Sequence, residues 1–312
     1  MISTFWIAWG VAWGLEWCIS EPRRYHPLVG FGRCAAALEQ RLNTQSQATM
    51  FWCGAFAWAL MVLCSVAVFA LAKQLVPTVT GFIDGVALWI ALGAVSLYRH
   101  VQAVVIPLQQ HDIVSARQAL AQIVSRDCQQ LDVTAVCAAT VETTLENGAD
   151  AIFASVFWFV LGSCYGIGAE CVILHRAANT LDAMWGYRTP RFEWFGKTAA
   201  RVDDLLNYVP ARLTALTYLL LGHSRLAWHC WRQQARQHDS PNAGVVMAAG
   251  AGALQVQVGG AACYAGVWHK RPVLGQGVPA DCHHIMAALH LLQRSLGLWI
   301  IVITGGWLWF KY

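Results

Sequence analysis

Charge is what this 312-residue sequence has least of: Asp, Glu, Lys and Arg make up 12% of it, against 57% for the hydrophobic set. Soluble domains carry about 25% charged residues, so an ordinary water-soluble globule is disfavoured from composition alone. The eleven cysteines are odd in number and contain no CxxC pair. Several, Cys53, Cys64, Cys164 and Cys171 among them, lie in apolar runs, which suits small core residues and argues against a disulfide framework or a thiolate metal site. No basic stripe interleaved with aromatics is present, so no nucleic-acid partner is expected. Phe195-Gly196-Lys197-Thr198 imitates the end of a P-loop, but Arg191 stands where the first glycine is required. No internal repeat or disordered linker breaks the chain, and one domain is expected over 1–312.

What is abundant points to a bilayer. Sixteen tryptophans and a mean hydropathy of +0.45 accompany long uncharged runs. Phe51 to Ala72 has no charge over the roughly 20 residues that a crossing helix needs. Spans are expected near 2–19, 51–72, 82–98 and 296–310, with Trp299, Trp307 and Trp309 suited to the interfacial belt. The first run has no basic stretch before it and bulky or charged residues near Cys18, so it is expected to stay as a span and not to be removed as a signal peptide. Arg23, Arg24, Arg33 and Arg41 in the first loop, against Lys73 alone after the second span, place that loop in the cytoplasm and the N-terminus outside. The expected fold is therefore all-α, a polytopic membrane protein with about four spanning helices and cytoplasmic helical segments at 99–150 and 175–295.

Residues 151–174 are apolar and long enough to cross, but Gly162, Ser163, Gly166 and Gly168 interrupt them. Crossing would put the six basic residues between Arg176 and Arg212 outside, against the charge rule. A re-entrant or buried helical hairpin turning near Gly162 is expected instead. A helix is expected to end near Pro210, and the Gly/Ala-rich run Ala243 to Gly266 suits close helix or backbone packing.

The scarce charge is concentrated. Arg176 to Ala215 combines Asp182, Asp203 and Asp204 with Arg176, Arg201, Arg212, Asn179 and Asn207. Carboxylates hold hard cations, and guanidinium binds phosphate or carboxylate bidentately, so the set suits a metal and an anionic substrate. On a helix Asp203 and Asp204 point about 100° apart, so one faces a site while the other pairs with Arg201 or Arg212. Glu142, Glu146 and Asp150 recur at helical spacing on one face; three like charges call for a partner, Mg²⁺ or arginine. Asn147 can donate to a substrate oxygen, and His26, before Pro27, is presented from extended backbone near the first membrane exit.

The runs NTLDAMWGY and AARVDDLLNYVPARLTA resemble the adenosylcobinamide-phosphate synthase family, the membrane-bound CobD/CbiB proteins of cobalamin biosynthesis. EPRRYHPLVGFGR, IVSRDCQQL, ETTLENGAD, SPNAG and GALQVQVGG follow in the family's order over nearly the whole chain. The resemblance implies ATP- and Mg²⁺-dependent amide formation between adenosylcobyric acid and (R)-1-aminopropan-2-ol or its O-phosphate. It also implies a bacterial inner-membrane location with a cytoplasmic active-site face, and contact with lipid and other cobalamin-pathway enzymes. By motif, Glu146, Asp182, Asp203 and Asp204 are the expected catalytic carboxylates. Substrate binding falls to His26, Asn147, Asn179, Arg176, Arg201, Asn207, Arg212 and Asn242, and Mg²⁺ to Glu142, Glu146 and Asp150. Ala151, Ser155 and Met247 replace a glycine, a proline and an acidic residue that the family usually carries, a pattern that also fits a weakened relative. The alternative is a non-catalytic membrane sensor or scaffold like the AmpE proteins.

Overall fold

The computed structural model of the chain describes residues 2–19, 27–43, 47–264 and 266–309; His26 lies outside them. In chain order the helices are α1 (Ile2–Cys18), α2 (Pro27–Leu42), α3 (Gln47–Leu75), α4 (Thr80–Ala91), α5 (Ala94–Gln109), α6 (Ile113–Leu120), α7 (Val133–Gly148), α8 (Ser155–Ser163), α9 (Gly168–Trp185), α10 (Lys197–Leu221), α11 (Ser224–Gln234), α12 (Ala243–Leu254) and α13 (Cys282–Trp309). The fold is all-α with little strand, as expected. Gln47–Leu75, Pro77–Gln109 and Cys282–Trp307 are long and apolar enough to cross a membrane, and α1 adds 17 residues, about 26 Å of helix. The segment expected as one span over 82–98 is interrupted at Leu92 and Gly93, between α4 and α5.

Contacts divide the chain into two compact units, one of residues 1–95 and 154–207, the other of 96–153 and 208–312. Because the units interleave along the sequence, no linker marks them.

The first unit is organised around α3. Trp52, Phe56, Leu60, Leu63, Leu71 and Leu75 stand exposed at helical spacing along it, Trp52 at 71% and Leu75 at 78%, a continuous apolar face that lipid satisfies and water does not. Helix α4 crosses α1 so closely that a Cβ at Gly85 would lie 2.7 Å from the Ala8 carbonyl; small residues at such a crossing let the backbones touch. The Glu16 carboxylate accepts the Val95 N–H at 2.9 Å, holding the start of α5.

Helices α8 and α9 form the expected hairpin. Its turn falls at 164–167, next to Gly162 as expected: the Tyr165 and Ile167 N–H groups donate to the Gly162 carbonyl, and Gly166 takes a φ of +76°. Gly162 serves the packing between the arms, where a Cβ would lie 2.8 Å from that of Cys171. The tip is pinned by Lys73, whose Nζ donates to the Gly166 carbonyl at 3.0 Å and pairs with Glu170 at 2.9 Å and Asp84 at 3.0 Å. From there α9 runs back along α3 until Trp185 and Phe195 pack with Ala57, so both arms lead away from the Lys73 end. Arg191, in the connection to α10, grips Glu39 of α2 through Nε at 3.0 Å and a second nitrogen at 2.6 Å.

Helix α10 does not stop near Pro210 but continues to Leu221. Proline has no N–H for the carbonyl four residues back, and the Trp158 indole donates to that carbonyl, Leu206 O, at 3.1 Å. The orphaned acceptor is satisfied from outside the helix.

The second unit is built on α7, buried almost throughout from Val136 to Leu145 and packed by α12, α13 and a strand that follows α12. The run expected to pack as helix or close backbone after Ala243 is helical only to Leu254. Gln255 then takes a left-handed φ of 56°, and the alternating VQVG forms β1 (Val256–Gly259). After β2 (Ala262–Tyr264) and β3 (Val267–His269), which pair with each other, β1 pairs antiparallel with β4 (Val273–Leu274) and parallel with β5 (Val278–Pro279). These short strands bring Gly259 and Arg271 onto Glu142 of α7.

Candidate active site

Each unit carries a buried polar cluster that includes residues of the sequence motifs. In the first, Arg176 and Asn179 project from α9, and Asp203 and Asn207 from α10, each pair one helical turn apart. The Asp203 carboxylate is 8% exposed. Its Oδ1 accepts the Asn207 amide at 3.0 Å and the Asn179 amide at 3.3 Å. Arg176 donates to Asn179 Oδ1 at 3.4 Å. Asn207 Oδ1 lies 3.0 Å from Nε2 of His175. Because the Asn207 nitrogen is spent on Asp203, its oxygen must accept, so His175 carries its proton on Nε2. Among the described residues, Nδ1 of this fully buried ring has no partner.

Burial pushes the Asp203 carboxyl up to about 6, although the two amides pull the other way. A carboxylate in that range takes and releases a proton near neutral pH, the property of a general base. Asp203, Asn179, Asn207 and Arg176 are thus assembled as one group. Asp204 is half-buried beside Asp203, which is the member of the pair that faces the amides. Asp182 is half-buried further along α9, and Arg201 is exposed.

In the second unit the Glu142 carboxylate, 1% exposed, is surrounded by donors. Arg126 pairs with Oε2, both terminal nitrogens of Arg271 reach the same oxygen at 3.2 Å, and the Gly259 N–H donates to Oε1 at 2.6 Å. Burial by itself would raise this carboxyl; Arg126 and Arg271 outweigh it and hold it below the usual range. Arginine, one of the two partners that the acidic face called for, meets Glu142 twice. Burial raises the Glu146 carboxyl, with Glu142 adding to the effect. Asp150 falls in the π-helical stretch Ala149–Ala154 that follows α7. Among the described residues no three His, Cys, Asp or Glu side chains are grouped to hold a metal ion. The expected set of Glu142, Glu146 and Asp150 is therefore not gathered as ligands, since Glu142 is engaged by Arg126, Arg271 and the Gly259 N–H. Asn147 donates to Thr143 Oγ1 at 2.8 Å within its own helix.

Two further expected residues meet in this unit. Arg212 donates to Asn242 Oδ1 at 2.6 Å and to the Pro241 carbonyl at 3.0 Å, and its guanidinium stacks 3.5 Å from the Tyr208 ring centroid. Ser240 Oγ accepts the Asn242 and Ala243 N–H groups, fixing the SPN turn that presents Asn242. Sequence reasoning missed His175 and Arg271, which carry no motif signal, and Arg126, which does stand inside IVSRDCQQL.

Comparison with known proteins bears on the family. The family described as CobD/Cbib protein matches residues 9–292. A protein of Stutzerimonas stutzeri named cobalamin biosynthesis protein CobD is 51% identical over 93% of this chain and 94% of its own. One of the same name from Chromobacterium violaceum is 47% identical over 90% of each, and one from Mycobacterium tuberculosis is 38% identical over 91% of each. No solved structure matches. With the family matched over nearly its whole length and relatives this similar, the chain belongs to the CobD/CbiB family.

Proposed function

We propose that this protein acts in cobalamin biosynthesis, joining a propionate carboxyl of adenosylcobyric acid to the amine of (R)-1-aminopropan-2-ol or its O-phosphate in an ATP-dependent amide synthesis at the cytoplasmic face of a bacterial inner membrane. The pathway rests on the relatives' shared name over nearly the full chain. The observation that carries the chemistry is the buried Asp203, held by two amides. Amide formation has two requirements: the carboxyl must be activated, which ATP supplies as an acyl phosphate, and the incoming ammonium must lose a proton before its nitrogen can attack.

Asp203 is suited to the second. With its carboxyl raised to about 6, it is ionised at neutral pH yet basic enough to take a proton as the amine attacks. Asn179 and Asn207 fix the carboxylate, so little geometry is left to be ordered during reaction. His175, with Nε2–H committed to Asn207, acts through that amide as a positioning residue. Arg176 adds positive charge beside Asn179, where a phosphate or carboxylate oxygen of a substrate would be steadied. The residues do not fit a resident Mg²⁺ on the α7 acids, and no step is assigned to such an ion there.

The test is genetic and biochemical. A synthase-null strain, which grows on cobinamide because that compound lies past the missing step, should grow on cobyric acid only when it carries this gene, and Asp203→Asn should fail to restore growth on cobyric acid. A well-expressed wild-type protein that fails on cobyric acid would refute the ligase and leave the scaffold reading standing.

A further inference from the structure

The second unit contains a cavity of about 630 Å³ bordered by the C-terminal half of α10, by α11 and by the SPN turn. Its size falls in the range of small-molecule pockets. Its walls combine Arg212, Arg232 and Arg236 with Trp228 and Trp231, against one carboxylate, Asp239. Arg232 and Arg236 lie four positions apart on consecutive turns, a spacing at which like charges repel. Among the described residues neither has an ion pair or hydrogen bond to the protein; Arg232 only rests against Trp228, 5.4 Å from its ring centroid. Arg212 faces them from α10, its plane fixed by Tyr208 and Asn242. The Trp228 and Trp231 rings meet edge to face at 5.6 Å, an apolar corner beside the charges.

From this arrangement we infer that the cavity is a binding site for a phosphate group, with Arg232 and Arg236 as its principal donors and Arg212 closing the opposite side. Guanidinium forks match phosphate oxygens bidentately, and an anion there removes the repulsion between neighbouring arginines. The tryptophan corner accommodates a ring or an acyl segment attached to the phosphate. None of Arg232, Arg236, Trp228 and Trp231 belongs to the family motifs recognised in the sequence. The inference rests on the proposed reaction only for the choice of phosphate compounds to try; the site itself follows from the cavity.

Binding can be measured without turnover, which separates a failure of this site from a failure of the ligase reading. Full-length protein in neutral detergent would be titrated calorimetrically with inorganic phosphate, with ATP and with O-phospho-1-aminopropan-2-ol, and in nanodiscs its thermal midpoint would be compared between phosphatidylglycerol and phosphatidylcholine. The double variant Arg232→Gln, Arg236→Gln should weaken binding of at least one phosphate compound about 10-fold or more, and Arg232→Lys, Arg236→Lys should recover part of it. Both arginines are exposed, so an unchanged thermal midpoint without ligand is expected. An effect confined to ATP, to the amino-alcohol phosphate or to the anionic nanodisc identifies the source of the phosphate. Equal affinity in wild type and variant, or no binding of any probe, overturns the inference.

Discussion

Glu142→Gln separates a structural carboxylate from a metal ligand. The change keeps the shape of the side chain and removes the charge that faces Arg126 and Arg271, both largely buried at 12% and 16% side-chain exposure. Breaking a buried ion pair from one side costs about 3–5 kcal/mol, since the remaining charge stays desolvated without a partner. At roughly 2–4 °C per kcal/mol for a domain of about 150–250 residues, the thermal midpoint in detergent should fall by roughly 6–20 °C. Because membrane proteins often unfold irreversibly, wild type and variant would be compared at one scan rate. Adding Arg271→Gln to the variant should recover part of the loss, because one of the two stranded cations is gone. Mg²⁺ should leave the wild-type midpoint unchanged. A Glu142→Gln protein as stable as wild type, combined with a Mg²⁺-dependent rise in wild type that the variant loses, would show that the carboxylate holds a cation and that the arginine account is wrong.

Three further outcomes follow. The Asp203 carboxyl is raised from 3.8 to about 6, so its contribution to stability is full below pH 3.8, where folded and unfolded states are both protonated, and is lost as the pH rises through about 6; at about 1.36 kcal/mol per pKa unit this amounts to roughly 3 kcal/mol. Asp203→Asn should therefore gain stability relative to wild type on going from pH 4 to pH 8, and parallel midpoint curves would count against a raised carboxyl. Trp158→Phe should cost about 1–3 kcal/mol by stranding the Leu206 carbonyl, and less in a Pro210→Ala background that restores the helical N–H; equal costs in both would refute the capping role. Single cysteines at Thr189 and Arg117 in a cysteine-depleted protein should resist a membrane-impermeant thiol reagent in intact cells and react after permeabilisation, whereas labelling of Thr189 alone in intact cells would mean that the hairpin crosses.

Much of the fold was legible because lipid imposes simple constraints. A run such as Phe51 to Ala72 needs only length and absence of charge to be recognised, and the glycines of 151–174 marked a hairpin. The errors came where a distant residue overrides a local signal. Pro210 is a proper helix-stop signal, and it fails here because Trp158, some fifty positions earlier, serves the carbonyl that the proline abandons. The hairpin turn was legible to within a few residues of Gly162, and the glycines there divide the work: Gly166 takes the positive φ while Gly162 makes room for Cys171.

The site divides along the same line. Asn179, Asp203 and Asn207 were found because they lie in dense polar motifs, and helical spacing alone places Asp203 and Asn207 on one face. His175 was not, since a histidine at the end of an apolar run carries no local sign that its Nε2–H will meet an asparagine 32 positions later. The acidic face of α7 shows what spacing can and cannot decide. Charge repulsion required a partner for Glu142, and that requirement was physical and local. Which partner answered it depended on β1 and β4, because β1 supplies the Gly259 N–H and its pairing with β4 returns the chain next to Arg271. A sequence states the demand for compensation long before it states who meets it, so an unpaired acid in a membrane protein is better followed by a search for distant arginines than by an immediate assignment of metal.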